Sequence, residues 1–360
     1  MTFEDLFSIK EDLWTSLSRT EKPIIMYGTG NGADKIIDVF EAKGIKLSGI
    51  FASDDFARGQ NFRKFTVKKY SDFCDEYKDF IVVISFASQR DEVLKNIYRI
   101  CEERECYAPD VPVFGDGLFN LDYFNKNKDR LKDVYDLMAD DISRETFAMS
   151  IAFKLTGKIE YLRNCEVNEN ECTELVASLL KSYNYIDIGA YTGDTVEAYI
   201  NRFGNDMELY AFEPDERNYR KMLERFNNKG IQCHTFNVAA WNKSEELRFY
   251  SNSGRAGSAV KGAQTKYKDI RAIRVDSVID SEIGFIKIDA EGSDLEVIDG
   301  LSSIITKYRP CMKVAAYHKN DDFFTLPEKM LEIAKNFKLY MRHLKYVPGW
   351  DTDFIFDLNC

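Results

Sequence analysis

Between residues 185 and 292 one short pattern recurs three times: an apolar run, an acidic residue at its end, a residue that stops the run, and then a helix. Tyr185-Ile186-Asp187-Ile188 breaks into Gly189-Ala190-Tyr191-Thr192-Gly193-Asp194-Thr195. Val196, Tyr199, Ile200 and Phe203 follow at helical spacing, with Gly204 closing the run. Leu209-Tyr210-Ala211-Phe212-Glu213 is halted by Pro214, which cannot continue a paired central strand. Phe285-Ile286-Lys287-Ile288-Asp289-Ala290-Glu291-Gly292 is the third instance. Strand, tight turn and helix in alternation predict an α/β fold with a mostly parallel sheet, which binds its ligand beyond the carboxyl ends of the strands. The first turn lacks a Lys-Ser/Thr ending, which argues against a phosphate-gripping P-loop. Three strand-end acids in one domain are hard to explain by packing.

Four stretches in this order resemble the FkbM family of S-adenosylmethionine-dependent methyltransferases: Ile186–Asp194, Phe212-Glu213-Pro214, Asn237-Val238-Ala239-Ala240 and Ile286–Gly292. The resemblance covers roughly residues 181–358. It implies a Rossmann-like methyltransferase domain at 181–360, with a seven-stranded sheet ending in an antiparallel pair (338–347 and 353–358), and S-adenosyl-L-methionine as cofactor. A carboxylate at the second strand tip, Glu213, suits the ribose diol. Asp187 and the turn Gly189, Ala190, Tyr191 and Gly193 suit the amino-acid tail, with Asp194 or Thr195 reaching its carboxylate at the helix N-terminus. Pro214, Asn237, Val238, Ala239 and Asp289 complete the expected cofactor-binding set, residues 237–239 edging the adenine.

Methyl transfer to an alcohol needs in-line positioning and a base for the hydroxyl proton. The candidates are His318, at the end of the predicted fifth strand, Asp289 and Glu291. His318 is favoured because an unperturbed imidazole titrates near neutrality. No metal is expected, since the Asp-Asn pair that catechol-type methyltransferases carry after strand five is missing. Arg255 and Ser258 lie in a polar, glycine-rich stretch and are substrate-loop candidates.

The preceding half reads as a helix at 1–20, a small α/β domain at 22–115 and a helical connector at 116–180. In the small domain Gly28-Thr29-Gly30-Asn31-Gly32-Ala33 fits a dinucleotide fingerprint, and Asp54 with Asp55 falls where a ribose-binding acid belongs. Gly28, Gly30, Ala33 and Asp54 are therefore candidates for a nucleotide, NAD or a nucleotide-sugar. The other reading is a scaffold or dimer surface. This part resembles the N-terminal domains of bacterial sugar-modifying enzymes. The sugar hydroxyl expected as acceptor, on a glycan or nucleotide-linked sugar, comes from these resemblances alone. The alternatives are an NAD- or nucleotide-sugar-dependent enzyme centred on the first domain and a non-catalytic cofactor-binding scaffold.

Lys and Arg number 49 against 60 Asp and Glu, a net charge of −11, which disfavours a polyanionic partner such as nucleic acid. Eight cysteines without a C-x-x-C pair and three histidines argue against structural zinc. An acidic start, no membrane-length apolar run and scattered cysteines fit a cytoplasmic protein with a small-molecule or glycan substrate, with a homo-oligomer possible.

Overall fold

The structure is a computed structural model and describes residues 1–54, 56–115, 117–251, 257–258 and 267–359. Residues 1–20 do not form the single helix expected of them. A 3-10 turn (Glu4–Ser8) is separated from α1 (Leu13–Arg19) by residues 9–12, the last of them the N-cap Asp12. The Asp12 carboxylate caps α1 by accepting from Thr15 N (2.9 Å) and also takes Leu121 N (3.2 Å). The break sends Phe3 and Leu6 into the core of the C-terminal half, while Leu13, Trp14 and Leu17 pack on the first domain.

That domain runs β1 (Ile24–Tyr27), α2 (Asn31–Lys43), β2 (Leu47–Phe51), β3 (Asn61–Phe62), β4 (Phe65–Lys68), α3 (Tyr70–Glu76), β5 (Ile81–Ile84), α4 (Asp91–Glu103) and β6 (Cys106–Tyr107). Its sheet order is β3-β4-β2-β1-β5-β6, parallel except for the β3–β4 pair. β1 and β5 are buried along their whole length, as continuous apolar runs covered on both faces should be. The connector supplies α5 (Leu121–Leu137), α6 (Asp141–Thr156), α7 (Ile159–Cys165), β7 (Glu166–Val167) and α8 (Glu169–Leu179). Phe147, Ile151 and Leu155 of α6 join one face of the second sheet in a single core.

The C-terminal half begins with β8 (Tyr185–Ile188), α9 (Asp194–Phe203), β9 (Leu209–Phe212), α10 (Glu216–Lys229) and β10 (His234–Phe236). Next come β11 (Ala239–Trp241), β12 (Glu245–Ser251), β13 (Gly257–Ser258) and β14 (Tyr267–Arg274), which form a separate sheet of order β11-β14-β12-β13. The chain then returns with β15 (Phe285–Ile288), α11 (Asp294–Gly300), α12 (Ser302–Tyr308), β16 (Cys311–Ala315), α13 (Asp322–Ile333), β17 (Lys338–Leu344) and β18 (Thr352–Asp357).

The main sheet has the order β10-β9-β8-β15-β16-β18-β17-β7, with β18 antiparallel to both neighbours. It is the expected seven-stranded sheet plus one strand: β7 of the connector pairs with β17 through His343↔Glu166. α13 starts at Asp322 and contains Pro327. Its first turn is already closed when Thr325 N bonds Asp321 O (2.9 Å), so the proline enters a formed helix. Among the described residues no helix is long and apolar enough to cross a membrane.

Candidate active site at the strand tips

The tips of β9, β8, β15 and β16 lie side by side: Glu213 and Asp289 directly follow β9 and β15, Asp187 is the last residue but one of β8, and His318 comes shortly after β16. Asp187 is fully buried and pairs in register with Lys287 on the neighbouring parallel strand. Lys287 Nζ lies 3.3 Å from Asp187 Oδ1 and donates to Gly189 O (3.2 Å), and the Thr195 hydroxyl bonds Asp187 Oδ2. Asp187 thus ties strand, turn and helix together from beneath. Gly189 has φ +76°, and a Cβ there would come 2.0 Å from Asp289 O, so only glycine allows the β8 and β15 turns to approach this closely. Gly193, also at positive φ, precedes α9; Ala190 is buried, while Tyr191 and Asp194 are exposed.

Glu213 is buried at the tip of β9. One carboxylate oxygen accepts from Tyr191 N (2.9 Å) and the other from Asp215 N (2.8 Å), leaving a lone pair on each. Burial outweighs these bonds and pushes its pKa up to about 7. The Asn237 amide donates to Glu213 O (2.9 Å) and Pro214 O (3.3 Å), clamping the β9 turn to the start of β11, with half-buried Val238 and buried Ala239 following.

His318 departs from the expectation of an imidazole with a near-neutral pKa facing the crevice. The ring is fully buried between carboxylates. Nδ1 is 2.9 Å from Asp294 Oδ2, and Nε2 is 3.2 Å from Asp289 Oδ1 and 3.7 Å from Glu291 Oε2. Burial alone would lower its pKa, but Asp294 and Asp289 override this and hold it well above the ordinary value. At neutral pH the ring is a clamped imidazolium. The signal available in the sequence was the acid-rich run Asp289–Asp294, since a histidine among several carboxylates charges.

The same cluster sorts the acids. Burial would raise Asp289, yet the His318 ring 3.2 Å away and the Lys287 charge hold it below the usual carboxylate range. Glu291, at φ +50°, is pushed up to about 8 by burial despite His318, with Asp289, Asp294 and Glu213 adding to the rise. Asp322, which accepts Lys319 N (2.7 Å), is raised to about 7 by burial and by Asp294.

Phe114, from the loop after β6, roofs this cluster. Its N–H donates to His318 O (3.0 Å), its ring centre lies 6.1 Å from that of His318, and a Cβ on Gly292 would come 3.0 Å from it. Sequence reasoning overlooked Phe114, Lys287, Asp294 and Tyr317. Lys287 was detectable as a cation inside an otherwise apolar strand, which requires an anion beside it.

The first-domain candidates are spread around the β1–α2 turn. Gly28 (φ +110°) has its Cβ position against Phe86, whereas the space beyond Gly30 (φ +117°) is open. Ala33 is buried in α2, and Asp54 is exposed after β2. Arg255 lies outside the described residues, as does Asp55; Ser258 ends β13. Among the described residues no group of His, Cys, Asp and Glu has metal-holding geometry.

Residues 187–348 match the family described as Methyltransferase FkbM domain. Among solved structures, the methyltransferase FkbM from Methylobacillus flagellatus KT is similar with a TM-score of 0.74 at 18% identity, covering 98% of this chain and 97% of that one. The fold likeness therefore extends over both halves. An rRNA methylase from Streptococcus thermophilus (TM-score 0.34, 10% identity, 53% of this chain and 96% of that one) and a SAM-dependent methyltransferase from Aquifex aeolicus (TM-score 0.31, 9% identity, 55% and 96%) score too low to bear on the fold. No curated protein matches the sequence.

Proposed function

Since residues 187–348 form a methyltransferase domain of the FkbM family, we propose that this chain transfers a methyl group from S-adenosyl-L-methionine to a hydroxyl of a sugar. The observation that carries the cofactor is Glu213: a buried carboxylate at the second strand tip whose oxygens each keep one lone pair for a ribose hydroxyl. When bound, the cofactor supplies an electrophilic methyl on a sulfonium, open to in-line attack by the acceptor oxygen. Gly189 keeps the crevice floor low, and Phe114 closes the side above His318 and Gly292 and limits water. Asp289, held ionised, suits a nearby cationic centre.

The proton of the acceptor hydroxyl falls to Glu291. His318 already carries its proton, and Asp289 is too weak a base, whereas a carboxylate raised to about 8 is matched to the task. His318 then acts by positioning both acids. A nucleotide at the β1–α2 turn is the second reading for the first domain, favoured by the open space beyond Gly30.

The raised Glu213 pKa has a measurable consequence. Below about pH 7 the unliganded carboxyl is protonated, while two ribose hydroxyl donors favour the ionised form, so binding expels a proton. S-adenosylhomocysteine affinity is expected to rise with pH up to about 7 and then level off. Calorimetry at pH 6 in buffers of different ionisation enthalpy should register the released proton, and Glu213→Gln should abolish it. Proton-neutral binding at pH 6 would remove Glu213 from the ribose.

A further inference from the structure

Tyr317 follows β16, and its hydroxyl lies 3.4 and 3.5 Å from the two oxygens of Asp289. Trp350, in the β17–β18 loop, lies nearly parallel to Tyr317 with 6.3 Å between ring centres, and Tyr346 is 5.7 Å from Trp350. The next residue, Asp351, is half-buried at φ +53°, a conformation few non-glycine residues adopt. Its carboxylate accepts no hydrogen bond from the described residues, and the Trp350 indole N–H donates to none. Burial, with Asp353 close by, lifts the Asp351 pKa to about 6.

The loop is held in place from several sides. Val347 exchanges two backbone bonds with Ser88 of the first domain (2.8 and 3.1 Å), Thr352 Oγ1 donates to Gly349 O (2.8 Å), and Leu344 N bonds Asp351 O (3.0 Å). A half-buried carboxylate with the Lys313 charge nearby and no hydrogen bond from the described residues keeps its oxygens available to ligand hydroxyls. An adjoining aromatic face with a spare N–H is complementary to a ring that has an apolar face and a hydroxylated edge.

We propose that Trp350 and Asp351 form the acceptor subsite, stacking one face of a pyranose ring and accepting hydrogen bonds from two of its hydroxyls, so that a third hydroxyl faces Asp289 and Glu291. This rests on the sugar-methylating reading above. It also gives the first domain a role, since Ser88 fixes the loop that holds the sugar.

The test measures methyl transfer from labelled S-adenosylmethionine to a panel of methyl glycosides (gluco, galacto, manno and rhamno) by the full chain and by Trp350→Ala, Trp350→Phe and Asp351→Asn. Asparagine tolerates the left-handed backbone at 351, so that variant keeps the loop. For the accepted glycoside, KM should rise about tenfold or more in Trp350→Ala and Asp351→Asn. Trp350→Phe should recover most of the loss, and kcat and S-adenosylhomocysteine affinity should stay near wild type. Unchanged KM in Trp350→Ala and Asp351→Asn, with a glycoside methylated by the wild type, would overturn the subsite and leave the sugar reading standing. Failure of the wild type to methylate any glycoside while still binding S-adenosylhomocysteine would overturn the sugar reading and the subsite with it.

Discussion

Glu291→Gln is expected to lower kcat by roughly 10²–10⁴-fold, the usual share of general base catalysis, while S-adenosylhomocysteine binds as before. The substitution keeps the shape and the positive-φ backbone but removes the acid that burial raises furthest in the cluster, to about 8, against about 7 for Asp322. The wild-type rate should climb with pH as the Glu291 carboxyl loses its proton and flatten at or below about pH 8, since a bound sulfonium favours the ionised form. The variant should have no such limb. A Glu291→Gln protein with near-normal turnover would pass the role to Asp289, or show that positioning alone suffices.

His318→Ala is expected to act on stability before it acts on rate. Asp289, Asp294 and Asp322 surround the buried ring, and removing a buried cation from its anions typically costs about 3–5 kcal/mol. The sign of the pH dependence follows from the directions of the shifts. His318 is raised in the folded state, so its contribution is complete below about pH 6.5 and is lost as pH climbs towards its raised value. Asp289 is lowered, so its contribution is present above about pH 3.9 and is lost as pH falls towards its depressed value. The gap between wild type and variant should therefore be widest between about pH 4 and 7, as read by denaturant unfolding. A variant of undiminished stability and cofactor affinity that merely loses turnover would restore His318 as the base.

Elements with strong periodicity or sharp stops were readable from the sequence: β8, β9, β15 and their glycine or proline breaks, the α9 face and Gly204, and the antiparallel β17–β18 end. What escaped depended on contacts distant in sequence. Only the approach of Asp294 and Asp289 to His318 shows why the imidazole is charged, since a residue's ordinary pKa is overruled once it is buried among opposite charges. Phe114 sits in a loop of another domain, and no local pattern announces that it closes on Gly292. Asp12 broke the first helix because its side chain could cap α1 and take Leu121 N as well, a long-range partner that helical spacing does not reveal.

The proposed function puts S-adenosylmethionine in the crevice over Gly189 and Glu213. Calorimetric titration of S-adenosylhomocysteine into the full chain, at pH 8 where Glu213 is ionised, tests it most directly. Saturable binding is expected, one ligand per chain, weakened about tenfold to a hundredfold in a folded Glu213→Ala protein by the loss of charge-assisted hydrogen bonds to the ribose. No binding to the wild type, or equal binding to wild type and Glu213→Ala, would contradict it.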